Sequence, residues 1–76
     1  MYVTTLLPHG KDSHNPDARW VILGSADDTR GIFEQIAAEA AESGFVREGQ
    51  SNLYTRRGIE YVGYWTTMDG LNDKCR

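Results

Sequence analysis

The sequence has a single cysteine, two prolines, few basic residues and no long apolar run. One cysteine, Cys75, permits no disulfide within the chain, which points to a reducing compartment. Eight Lys and Arg against 11 Asp and Glu leave a net charge of −3. That balance argues against phosphate-backbone binding as the main driving force, because such binding needs a concentrated basic surface. No segment approaches the roughly 20 apolar residues of a membrane-spanning helix. The opening MYVTTLLPHG lacks the basic start of a signal peptide, and its apolar run is too short for one. The expectation is a soluble cytoplasmic protein with no membrane partner. No repeat, low-complexity tract or linker divides the chain, so residues 1–76 read as a single domain. A domain this small buries about 60% of its unfolded surface. That size disfavours a deep enclosed active site and favours an exposed-surface function or a symmetric dimer.

What is present is organised around one helix. Ser25 followed by Asp28 has the spacing of a capping box, and Asp27 and Asp28 place negative charge where a helix dipole favours it. At 3.6 residues per turn, Ile32, Phe33, Ile36, Ala37 and Ala40 share a face, with Glu34, Gln35, Ala38, Glu39 and Glu42 opposite. Gly44 suits a helix stop, and Phe45 can fold back on the last turn. The spacing predicts an amphipathic helix over residues 26–43.

Strands flank it. Tyr2 to Leu7 is rich in β-branched and aromatic residues and ends at Pro8. Residues 8–17 form a polar loop of about ten residues, long for a compact domain. Arg19 to Leu23 is a short apolar run of the buried-strand type. Phe45 to Arg47 can begin a strand before Gly49-Gln50-Ser51-Asn52 interrupts it. Leu53 to Thr55 and Ile59 to Thr67 then flank Arg56-Arg57-Gly58 as a hairpin, and residues 68–76 read as a frayed tail.

Two hairpin registers are open. A two-residue loop, Arg57-Gly58, puts Tyr54, Arg56, Ile59, Tyr61 and Trp65 on one face. A three-residue loop with Gly58 in a bulge puts Leu53, Thr55, Ile59, Tyr61 and Trp65 inside, and Tyr54, Arg56, Val62 and Tyr64 outside. One residue of slip exchanges them. Turn chemistry favours the three-residue loop, because tight two-residue turns prefer Asn, Asp or Gly first. The predicted core is Val3, Leu6, Val21, Leu23, Ile32, Phe33, Ile36, Ala40, Phe45, Leu53, Ile59, Tyr61 and Trp65.

Chemistry-bearing clusters are sparse. His9, Asp12, His14 and Asp17 share the long loop, but their spacing fits no metal motif, and a polar loop is the plainer reading. Cys75 and Ser25 have no evident base or oxyanion donors. No cofactor, metal or catalytic residue is expected, and the chain reads as a non-enzyme. Two surfaces remain for partners. One is the helix side with Asp27, Asp28, Glu34, Glu39 and Glu42. The other is the hairpin with Tyr54, Arg56, Arg57, Val62 and Tyr64, residue types found in binding hot spots.

The expected fold is α+β of order ββαββ, with a single helix packed on one face of a small antiparallel sheet. Open sheet edges invite a homodimer. In size, acidity and layout the chain resembles the small inhibitors made by bacteriophages and mobile elements, particularly anti-CRISPR proteins. The resemblance implies a protein that binds and blocks a subunit of a bacterial nuclease complex, with an acidic helix meeting a basic groove. The alternative is a small nucleic-acid-binding module that uses Tyr54, Tyr61, Trp65, Arg56 and Arg57 as an aromatic and basic platform.

Overall fold

A computed structural model of the chain describes residues 1–74. The elements run β1 (Tyr2–Pro8), a 3-10 turn (Gly10–Asp12), β2 (Val21–Ala26), α1 (Ile32–Glu42), β3 (Val46–Arg47), β4 (Leu53–Arg56), β5 (Ile59–Thr67) and α2 (Met68–Lys74). The strands form one sheet in the order β2-β1-β5-β4-β3, and every pairing is antiparallel. The α+β class stands, but the order is not ββαββ: a third strand after α1 and a second helix are added. Val46 and Arg47 pair with Thr55 and Tyr54, so the interruption at residues 49–52 is a turn between β3 and β4.

The anticipated frayed tail is helical as far as Lys74, and Cys75 lies outside the described residues. Thr67 Oγ1 accepts the Gly70 N–H at 3.1 Å, the bond an N-cap hydroxyl makes three residues into a helix.

The capping box does not form. Ser25 pairs with Val3 and Ala26 with Tyr2, so the ladder holds Ser25 in extended backbone. The helix starts six residues later than expected from residue 26, at Ile32. Its N-cap is Gly31, left-handed at φ 67° with no side-chain bond. Asp28 instead closes a local turn, its carboxylate accepting the Arg30 N–H at 3.1 Å and the Arg30 Nε–H at 3.0 Å. The other end behaves as expected. Phe45 N–H reaches back to Ala40 O at 3.0 Å, and the Phe45 side chain is buried.

The hairpin register differs from the favoured one. Arg56 pairs with Ile59, leaving the two-residue loop Arg57-Gly58. Both residues are left-handed, at φ 55° and 78°, as a type I′ turn demands. Tyr54 and Tyr61 are therefore opposite each other, on the face that α1 covers. With Leu6, Ile36, Ala40 and Phe45 they make the buried core, and Val21, Leu23, Ala37, Ile59 and Trp65 pack against it. Each large side chain so covered contributes about 1.5–3 kcal/mol. Three predicted core residues lie elsewhere. Phe33 is 43% exposed, Leu53 pairs with Val62 on the opposite face, and Val3 is buried on that opposite face, paired with Thr66.

The 8–17 loop is tied to β5. His9 N–H donates to Glu60 O at 2.9 Å, and Asp12 Oδ2 accepts the Glu60 N–H at 2.9 Å. Asn15 Nδ2 donates to the other Asp12 oxygen at 3.0 Å. The Glu60 amide first, and Asn15 second, hold the Asp12 carboxyl below the usual carboxylate range.

Candidate functional site

The expected acidic helix side divides in two. Glu34 and Glu42 are exposed on α1, and Asp27 and Asp28 are exposed in the turn before it rather than on the helix. Glu39 points the other way, toward the sheet. Thr4 Oγ1 donates to Glu39 Oε1 at 2.7 Å. Gln35 Nε2 donates to Glu39 Oε2 at 3.4 Å and to Ser25 O at 2.8 Å. The helix is thus rolled so that Gln35 and Glu39 flank its buried stripe, while Phe33 turns outward. Gly24 makes this possible, because a Cβ there would collide with the Glu39 carboxylate.

The expected hairpin surface also divides. Tyr54 is 1% exposed, so it cannot meet a partner. Arg56 lies with its guanidinium 4.1 Å from the Phe45 ring centroid, and its Nη1 donates to Ser43 O at 3.2 Å. It closes the C-terminal end of α1. Arg57 is exposed at the turn. Val62 and Tyr64 are half-buried on the face opposite α1.

The aromatic and basic platform of the alternative reading has the register it needs, yet α1 lies on it. Tyr61, at 5% exposure, stands edge-on to Phe45 with ring centroids 5.2 Å apart. Trp65 is half-buried beside Tyr2 at 5.3 Å. Stacked bases have no access to such a surface.

The pairing of His9, Asp12, His14 and Asp17 dissolves, because Asp12 is turned inward onto β5. Among the described residues no group of three His, Cys, Asp or Glu is placed to hold a metal ion. A shallow hollow of about 120 Å³ is lined by His9, Glu48, Leu53, Thr55, Glu60 and Tyr61.

Two exposed features were missed from sequence. Periodicity places Phe33 in the core because it shares an arc with Ile36 and Ala40. The outer sheet face, with Ile22 at 60% exposure and Trp20 edge-on to Tyr64 at 6.0 Å, was not distinguishable while the register was open. No helix among the described residues is long and apolar enough to cross a membrane. No protein-family model, curated protein or solved structure matches the chain.

Proposed function

We propose that this chain is a non-enzymatic protein that binds another protein through the outer side of α1. The observation that carries this reading is Phe33, a large aromatic 43% exposed beside Glu34. Glu42 follows on the same helix, and Asp27 and Asp28 stand in the turn that leads into it; all four carboxylates are exposed. An aromatic anchor bordered by charge is the composition of an interface core and rim. The partner it fits has an apolar pocket set in a basic surface, and the carboxylates hasten encounter with it. The likeness in size and layout to phage-encoded inhibitors extends the proposal to steric blockade: the acidic side occupies a basic groove of a nuclease complex that otherwise engages DNA.

Affinity capture from a bacterial lysate tests the reading. The expected result is a discrete protein band that survives nuclease treatment. Phe33→Ala should abolish it, and Glu34→Lys with Glu42→Lys should slow its association. Both changes are at exposed positions, so the fold tolerates them. Capture unaltered by all of them removes this surface. Recovery of salt-labile, nuclease-sensitive material in its place would instead identify a nucleic-acid module.

A further inference from the structure

The sheet ends on two unlike edges. On one side β3 has two residues, and Arg47 there folds over the next turn to bond Ser51 O and Gln50 O. On the other side β2 runs for six residues, Val21–Ala26, with no charge and no proline. Among the described residues only β1 and the Gln35 amide bond its backbone. Natural sheet edges are commonly blunted by shortness, charge, proline or a bulge. β3 has the first two of these devices. β2 has only the last, where its register with β1 shifts between Thr4 and Thr5.

We propose that β2 pairs antiparallel with β2 of a second copy, giving a two-fold dimer whose sheet is continuous across both chains. Two observations select a second copy over a foreign strand. The first is the fit of β2 to itself. With the axis between Leu23 and Gly24, Val21 pairs with Ala26, Ile22 with Ser25 and Leu23 with Gly24 of the other copy. Each larger side chain meets a small one. Ile22, at 60% exposure, and Ser25 are the two exposed residues of the strand. Their partners Thr5 and Val3 on β1 put both on one face, so this register sets each against the other.

The second is charge. The same antiparallel sense brings residues 17–20 of one copy beside residues 27–30 of the other. Arg19 then faces Asp28 and its neighbour Asp27, and Asp17 faces Arg30; all five are exposed. Among the described residues Arg19 meets no carboxylate of its own chain and donates only to Pro16 O. Opposite charges at both ends of the pairing hold the register, and the two-fold axis supplies each contact twice.

Ser25 O already accepts the Gln35 amide at 2.8 Å, and a carbonyl oxygen has a second lone pair for a partner N–H. The bulge adds local twist and keeps the paired run short, so the association is of modest strength. Gln35 stands on the β2 side of α1, and helical spacing puts Phe33 across the buried stripe from it. Phe33 and Glu34 therefore stay open in the dimer.

Sedimentation equilibrium of the full chain, from about 10 µM to about 1 mM, tests this. The expected mass approaches twice 8.6 kDa at the upper end and falls on dilution. Ile22→Lys should raise the dissociation constant at least about tenfold by charging the edge. Arg19→Glu should also weaken the dimer, and adding Asp27→Arg should restore it. Asp28 is spared because its carboxylate closes its own turn. Arg19 and Asp27 are exposed, so their variants carry the test should Ile22→Lys fail to fold by circular dichroism. Val46→Lys, at a position 66% exposed on the opposite edge, should leave the mass unchanged. A wild-type chain that is monomeric throughout overturns the proposal. So does a dimer that Ile22→Lys and Arg19→Glu leave intact, or one that Val46→Lys dissolves. A monomer that still captures a partner through Phe33 overturns this inference and leaves the proposed function standing. A dimer sensitive to Ile22→Lys that captures nothing does the reverse.

Discussion

Thr4 Oγ1 donates to Glu39 Oε1 at 2.7 Å, bridging the sheet and α1 over the space that Gly24 leaves. A carboxylate thus takes a place on the inner side of a helix where periodicity alone expects solvent. Thr4 is fully buried, so its hydroxyl depends on this acceptor.

Removing either partner should cost stability. Thr4→Val is expected to lose about 1.5 kcal/mol, the low end for hydrogen bonds to charged groups, because Glu39 keeps some solvent access. Gly24→Ala should lose a similar amount by displacing the Glu39 carboxylate. The two losses overlap, so urea unfolding of the double variant should show much less than their sum. Full additivity would mean that Gly24→Ala acts independently of the Thr4–Glu39 bond.

Asp12 gives an acid dependence of known sign. Its carboxyl is held below the ordinary range by the Glu60 amide and Asn15. A lowered folded value means the stabilisation is present above the unfolded value and is lost as pH falls through the folded one. Thermal melts should therefore show wild type above Asp12→Ala at neutral pH, with the gap closing below about pH 4. A gap that persists unchanged into strong acid would count against the hydrogen-bonded carboxylate.

Tyr54 makes the opposite case. Among the described residues its hydroxyl has no hydrogen-bond partner, and burial raises the phenol above its ordinary range against a smaller opposing effect of Arg47. Tyr54→Phe should be neutral or stabilising by up to about 1 kcal/mol, because a desolvated hydroxyl is removed. Tyr54→Ala should cost about 3–5 kcal/mol by opening a cavity. Urea midpoints distinguish these, and a strongly destabilised Phe variant would show that the hydroxyl has a partner after all.

Arg57 is the one described non-glycine residue with positive φ, at a turn position that Asn fits better. Arg57→Asn should stabilise the hairpin by about 1 kcal/mol, roughly the strain of a left-handed L-residue. No rise in the unfolding midpoint would indicate that the arginine side chain compensates.

The class of the fold and most of its elements were legible in residue patterns. Tyr2 to Leu7 is rich in β-branched and aromatic residues, Gly44-Phe45 stops a helix, and Ile59 to Thr67 is a continuous strand. What misled was competition between levels. Ser25 and Asp28 satisfy a local capping rule, yet β1 claims Ser25 for its ladder, and no local signal reports that. Arg57 is a poor turn residue, yet pairing Tyr54 with Tyr61 under α1 buries more than a better turn would gain. The roll of α1 depends on Gly24, a position in another element. Of the residues suggested for partner contact, Glu34, Glu42, Asp27, Asp28 and Arg57 are exposed, while Tyr54, Arg56 and Glu39 are used by the fold itself. Phe33 escaped notice because periodicity cannot tell the edge of an apolar arc from its centre.

The central pairing of the sheet, β1 with β5, joins segments as distant as Thr5 and Tyr64, 59 residues apart in sequence. Closing so long a loop precedes any reward from the contacts it makes, which slows folding relative to local hairpins. On the ribosome, β1 emerges early and must wait, its apolar side uncovered, until β5 has cleared the exit tunnel. The β4–β5 hairpin can form as soon as it emerges, whereas the middle of the sheet is completed last.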